Sequence, residues 1–375
     1  MTLAQPGFLS QALHFVVVIG IIVTIHEFGH YLAGRLFGVK ADAFSVGFGR
    51  ELFGWTDRRG TRWRLSALPL GGYVKFAGDG DVTGTTEGDV SSLSHEERQH
   101  TLQAKPLWQR AIIVAAGPVT NFAFAIAIFA GFFLMLGHPY TPAVVCGAAQ
   151  GSAAADAGLA RGDRIVMMNG SAVSRFEDVM GQMQLNTGQP VPIVIERAGA
   201  RRALVLQPKQ VTERDAFGQS YKVNRIGLAG CQRIAERVGP VGAVRWAVIE
   251  VARLVGAMWH GIGQIFAGER GLSELGGPLK VAQMSGQAAQ IGWERFVQFL
   301  ALISINIGFI NLLPVPVLDG GHLLLYAVEG LRRRPLSQRA QELAFLSGFA
   351  AILTLMVVLT WNDLSSFGVW QRLVG

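Results

Sequence analysis

Residues His26-Glu27-Phe28-Gly29-His30 place two imidazoles four positions apart, with a carboxylate between them. On a helix, positions i and i+4 lie about 40° apart around the axis, so His26 and His30 project from one face, one turn apart. That spacing lets two neutral imidazoles ligate a single Zn²⁺, with Glu27 beside them as general base. With 8 His in 375 residues the string alone decides little, and a lone His on an apolar face is more often a hydrogen-bonded core residue. The surroundings carry more weight. Residues 15–25 read FVVVIGIIVTI, which puts the motif inside a membrane span. Three ionisable groups on one turn at that depth each need a buried partner, and such groups are usually functional. A protease centre placed in a bilayer implies substrates that are themselves in the bilayer.

Composition agrees. The chain is 50% hydrophobic and only 16% charged, with a mean hydropathy of +0.34, as membrane proteins are. Its net charge is +7, but the basic residues are spread over loops and form no aromatic-laced stripe, which argues against nucleic acid as a partner. The two cysteines, Cys146 and Cys231, are too few for a disulfide scaffold and too far from the His pair to complete a zinc site by local spacing. Unpaired structural thiols are the expectation, with one disulfide possible in an oxidising compartment. The first residues, MTLAQPGFLSQ, hold no Lys or Arg, so they do not form a standard signal peptide.

Four segments reach the length of about 20 apolar residues that a span requires. They run from Ala12 to Leu36, Leu107 to Leu136, Phe296 to Leu313, and Leu343 to Trp361. Val241 to Phe266 carries Arg245, Glu250 and Arg253, with Arg245, Arg253, His260 and Gln264 near one face, and reads as an amphipathic helix lying at the interface. Basic residues orient the set. Arg58, Arg59, Arg62 and Arg64 lie between the first two spans, and Arg332, Arg333, Arg334 and Arg339 precede the last; both groups belong in the cytosol by the positive-inside rule. The N-terminus and the long section between spans two and three then lie outside. His26 and His30 fall in the cytosolic half of the first span, and with four spans the third one delivers Asn311 to that same level.

There the sequence reads Asn311-Leu-Leu-Pro314-Val-Pro316-Val-Leu318-Asp319-Gly320-Gly321-His322. Two prolines break a helix and the Gly pair permits a sharp turn. Broken backbone at membrane depth is tolerated only where it faces protein or a cavity. Asp319 is therefore a natural third zinc ligand, leaving a position for water, with His322 as the lesser competitor.

Together, HEFGH in the first span and NLLPVPVLDG in a later one resemble the site-2 protease family of intramembrane zinc metalloproteases. The likeness is closest to the regulator-of-sigma-E protease branch. Gly117-Pro118-Val119-Thr120-Asn121 resembles that family's AGPxxN element. The resemblance implies zinc bound by His26, His30 and Asp319, Glu27 as the catalytic base, and Asn311 handling the substrate backbone. It also implies a membrane-associated β-hairpin or re-entrant loop in the stretch Trp63 to Ala77, where β-type residues flank a Pro-Leu-Gly-Gly break; Gly71 and Gly72 would contact substrate there, added as a strand to an edge.

Between Pro142 and Gln210 the composition becomes that of a small β-rich domain. Asn169-Gly170 marks a hairpin turn, and VPIVIER and RALVLQP alternate as paired strands around Ala198-Gly199. The pattern Ala157-Gly158-Leu159, Gly162-Asp163, Ile165 and Asn169-Gly170 resembles a PDZ domain. Close bacterial relatives often carry two such domains; this chain has room for one. The expected organisation is a polytopic α-helical membrane protein of about four spans with an inserted periplasmic PDZ-like domain. Residues 1–140 form the N-terminal membrane half, 141–212 the PDZ domain, 213–292 a linker with the amphipathic helix, and 293–375 the C-terminal membrane half. The expected activity is Zn²⁺-dependent endoproteolysis of single-pass membrane proteins, already trimmed by another protease, in the bacterial inner membrane. Membrane lipid surrounds the chain, and its active site faces the cytoplasmic side. The alternative is a catalytically silent PDZ-containing adaptor.

Overall fold

The apolar run after Gly7 forms a single helix, α1 (Phe8–Leu36), which stops where Gly38 takes a left-handed φ of 70°. Val39 N–H then bonds Gly34 O at 2.8 Å, a Schellman-type end. This computed structural model describes residues 7–78, 95–184, 186, 188–214, 220–232, 234–268, 276–334 and 336–366. Parts of the expected linker (215–219, 233 and 269–275) and of the C-terminal half (335 and 367–375) lie outside the described residues.

After α1 come β1 (Ala41–Thr56), β2 (Arg62–Phe76), α2 (His95–Gln99) and α3 (Leu107–Leu136). The β-rich stretch follows as β3 (His138–Tyr140), β4 (Val145–Ala148), α4 (Ala153–Asp156), β5 (Arg164–Met168), β6 (Ser171–Ala172), α5 (Phe176–Gln184), β7 (Val191–Arg197) and β8 (Ala200–Leu206). Then come β9 (Lys209–Arg214), β10 (Ser220–Arg225), β11 (Leu228–Gly230), β12 (Ile234–Glu236) and α6 (Pro240–Phe266). The chain continues as α7 (Pro278–Ile291), α8 (Trp293–Asn311), α9 (Asp319–Arg332) and α10 (Gln338–Ser366). It forms two compact units, one of Met1–Ile128 with Gly276–Asp363, the other of Phe129–Leu275 with Leu364–Gly375.

Among the described residues four helices are long and apolar enough to cross a membrane: α1, α3, α8 and most of α10. They are the four segments expected from the sequence, and α6 is not among them. In the first unit, Val18 and Ile22 of α1 pack on Phe299 and Leu300 of α8. The other side of α1 exposes Phe8, Leu9, Leu13, Leu32 and Leu36, and α10 exposes Leu343, Leu346, Phe349 and Trp361. Lipid is as apolar as these side chains, so such surfaces are stable in a bilayer.

The hairpin departs from expectation. Residues 63–77 do not turn at Pro-Leu-Gly-Gly; β2 runs through that stretch and pairs with β1. The turn lies earlier, where Asp57 Oδ1 accepts from Arg59 N at 2.8 Å and Thr61 N at 3.0 Å. An Asx turn supplies the reversal that the Gly pair was expected to make. Phe44 stands opposite Val74 on one side and Trp63 on the other, so residues 43–46 are central and residues 72–76 form an edge.

In the second unit, β6-β5-β7-β8 form a four-stranded sheet. Its two tight turns are those read from the sequence: Asn169 and Gly170 have φ of 48° and 77°, Ala198 and Gly199 have 49° and 80°, as type I′ turns require. The core holds Val145, Ile165, Met168, Val179, Val191, Ile193, Ile195 and Leu206. Strands β11 and β12, within the stretch read as linker, pair with β4 and β3. This pairing corrects the expectation of free thiols. Val145 lies opposite Gly230, which brings the adjacent Cys146 and Cys231 to a Cα–Cα distance of 5.1 Å in a disulfide. Sequence separation of 85 residues hid a cross-strand neighbour.

Buried Asp163 accepts from Arg197 Nε and Nη2, both at 2.6 Å, and from Ala160 N at 2.8 Å. The Arg197 hydrogen bond holds its carboxyl below the usual carboxylate range. That stabilisation is complete above the unfolded carboxylate pKa of about 3.9 and is lost as pH falls through the lower native value. Asp163→Asn in the full-length protein should therefore destabilise the unit by about 1–3 kcal/mol near neutral pH. Amide hydrogen exchange over residues 143–206 checks this: protection should fall in the variant at pH 7, with the difference shrinking below about pH 3.

Candidate metal centre

Three elements of the first unit bring the sequence-marked groups together. Helix α1 carries His26, Glu27 and His30, with His26 buried. Helix α8 ends at Asn311, residues 312–318 run irregularly with Val317 at φ 93°, and α9 opens on Asp319. The two prolines deny the chain a continuous helix, and the Gly pair lets α9 start tight against the broken segment. A Cβ at Gly320 would collide with Leu312 O and Leu313 O, and one at Gly321 with Val315 O. Gly348 of α10 approaches Pro316 O equally closely and pins the break from the other side.

His26 Nε2 lies 3.0 Å from Asp319 Oδ2, His30 Nε2 lies 3.5 Å from Asp319 Oδ1, and the two Nε2 atoms are 3.2 Å apart. A tetrahedral zinc with bonds of about 2.0–2.1 Å separates its ligand atoms by about 3.3 Å, so this donor set fits the ion. Two imidazole nitrogens and a carboxylate, all poor in donors, otherwise have little reason to crowd one point. His30 Nδ1 is 2.9 Å from Ile113 O, and as the donor of that hydrogen bond it leaves Nε2 with a free lone pair. Among the described residues these three form the one cluster of His, Cys, Asp and Glu groups close enough to share a metal. His322 lines the same cavity but stands outside the cluster.

The cavity holds 490 Å³ and is lined by Glu27, Asn311, Gly71, Gly72 and Val74 beside the three converging groups. Glu27 Oε2 accepts from Val74 N at 3.1 Å, which ties the carboxylate to the edge of β2. Gly72 lets β2 lie tight on β1, since a Cβ there would stand 2.6 Å from Ser45 O, while Glu27 Cγ at 3.7 Å would be in ordinary contact. Gly71, at φ 125°, bends the strand beneath the Phe48 ring.

A family model described as peptidase family M50 matches residues 14–355. The chain belongs to that family. The site-2 protease resemblance carried by HEFGH and NLLPVPVLDG is thereby borne out. "Putative zinc metalloprotease Atu1380" of Agrobacterium fabrum is 45% identical over 97% of this chain and 98% of its own length. "Putative zinc metalloprotease R01501" of Rhizobium meliloti is 43% identical over 94% and 95%. "Metalloprotease MmpA" of Caulobacter vibrioides is 34% identical over 98% and 99%. This M50 chain is thus a zinc metalloprotease with membrane-spanning helices, and the silent-adaptor alternative falls away.

The geometry adds positions that motif reading left without a role. Gly29, inside HEFGH, faces α3 so closely that a Cβ would collide with Thr120 Oγ1 and Ala116 O. Gly117 answers it from α3: a Cβ there would meet His30 Nε2 and lie 2.8 Å from His26 Cε1. Spacings of four and eight from Ile113 to Gly117 and Asn121 were the available signal, because they align on one helix face. Gly117→Ala should displace both imidazoles. The expected outcome is loss of most bound zinc by elemental analysis, with helix content by circular dichroism unchanged.

Proposed function

We propose that this M50 protease is an intramembrane endopeptidase that cuts single-pass membrane proteins within or near their spans, after another protease has removed the outer part. Anti-sigma factors and leftover signal peptides are the substrate classes that fit. The observation that carries the reading is the convergence of His26, His30 and Asp319 beside Glu27 on a helix built to span a bilayer.

In this reading His26 Nε2, His30 Nε2 and one Asp319 oxygen hold the zinc. Bound there, the ion supplies Lewis acidity toward water and the scissile carbonyl. Glu27 takes a proton from the attacking water and returns it to the leaving amine. Val74 N–H fixes Oε2 of that carboxylate, leaving the other oxygen for proton transfer. Asn311 reaches the same cavity, where its side chain hydrogen-bonds the substrate backbone or the developing oxyanion. A substrate helix must open before attack, because its carbonyls are already bonded and shielded. The edge formed by residues 72–76, beside Gly71 and Gly72, offers backbone groups on which an unwound segment is laid as an added strand.

The β-rich stretch is read as a PDZ domain that meets trimmed substrate ends or holds intact substrates off. We place it in the periplasm and the active site toward the cytoplasmic side of the bacterial inner membrane. Two facts support that placement: the Arg and Lys residues flanking the spans, and the Cys146–Cys231 disulfide, a bond that persists in oxidising compartments.

The test is cleavage of a single-span reporter in membranes by the wild type and by Glu27→Gln, which keeps the side chain's shape and removes the base. Cleavage should fall by at least about 10²-fold with the variant still inserted. Equal processing by both proteins would assign the cut to another protease.

A further inference from the structure

The zinc site proposed above needs both imidazoles in one tautomer, with the proton on Nδ1 and the lone pair on Nε2. For His30 the Ile113 carbonyl enforces this. Among the described residues, no carbonyl stands at the Nδ1 of His26. Its neighbour there is the side chain of Asn121, fully buried, with the amide Nδ2 at 3.2 Å. The other end of that amide, Oδ1, is buried and has no hydrogen-bond partner among the described residues. An orphaned buried acceptor is destabilising, so this one calls for an explanation.

The two observations resolve together. With Nδ2 donating to Nδ1, the proton of His26 sits on Nε2, where His30 Nε2 at 3.2 Å accepts it and Asp319 Oδ2 stands 3.0 Å away. That arrangement denies Nε2 to a metal. Turning the amide by 180° about its last torsion brings Oδ1 to Nδ1, gives it a donor, and frees the Nε2 lone pair. We infer that Asn121 is a positioning residue for the zinc site, setting the metal-binding tautomer of His26 through an Nδ1–H···Oδ1 hydrogen bond. The inference rests on the zinc-site reading of the preceding subsection. An amide suits the position because one group, turned over, serves the protein with and without the ion; a carboxylate serves only the first case and an alkyl group neither.

The surroundings hold Asn121 in place. Ser304 Oγ donates to Asn121 O at 2.9 Å. Gly308 of α8 brings that helix so near that an added Cβ would stand 3.2 Å from Asn121 Cβ and from Pro118 O. The backbone at 121 is thus fixed between α1 and α8, which holds the amide against His26 Nδ1.

The experiment compares zinc release to a chelator from the purified full-length holoenzyme and from Asn121→Leu, Asn121→Asp and Asp319→Ala, with the Co²⁺-substituted absorption spectrum as second readout. Asn121→Leu should release zinc about 10–100-fold faster and weaken the tetrahedral Co²⁺ bands. Asn121→Asp, which keeps an acceptor, should restore both toward wild type. A purely structural role would lower thermal stability in both variants without that rescue. Wild-type release from Asn121→Leu, or no rescue by a folded Asn121→Asp, overturns the inference while zinc loss in Asp319→Ala upholds the site. Full zinc retention by Asp319→Ala overturns both. Should the Asn121 variants fail to fold, infrared difference spectra of wild type with ring-¹⁵N histidine decide. Zinc loading should convert one imidazole from the Nε2–H to the Nδ1–H form; an unchanged spectrum overturns the inference.

Discussion

Polar groups inside a bilayer must satisfy one another, since neither lipid nor bulk water will do it. Around His26, Glu27 and His30 this requirement sets almost every local choice. One imidazole is tied to Ile113 O, the other lies against Asn121, and the carboxylate is bonded to Val74 N. The partners come from α3 and β2, and where α3 crosses α1 the helices approach far more closely than ordinary side chains allow. Glycine is the means: Gly29 and Gly117 where α1 meets α3, Gly72 where β2 meets β1, Gly320 and Gly321 where α9 meets the broken segment. Small residues at helix crossings are the usual packing device in membranes. Here they also set the distances within the cluster.

That dependence explains what was legible in the sequence. His26, Glu27 and His30 follow from helical spacing, a local rule. The four spans follow from length and hydropathy, and Asn311 to Asp319 from prolines that no helix absorbs. The turns at Asn169-Gly170 and Ala198-Gly199 follow from residues that accept positive φ. All of these are written within a few positions of where they act.

The rest depended on partners distant along the chain. β1 was missed because its residues 41–46 gain their strand character from two stretches of β2, one on each side. The Pro-Leu-Gly-Gly stretch looked like a turn because Gly71 does take an unusual φ, yet the bend is absorbed within a strand packed on Phe48. Cys146 and Cys231 met through strands that close β11 onto β4, a pairing with no sequence signal of its own. Asn121 stood in a recognisable motif, but its relation to His26 lies across 95 residues.

The tie between Glu27 and Val74 makes the hairpin and the carboxylate one mechanical piece. Far from that tie, the same hairpin exposes Leu52, Phe53 and Trp55. It is a lever whose short arm bears on the Glu27 carboxylate. Whatever displaces the hairpin is therefore felt at Glu27 through a single backbone N–H.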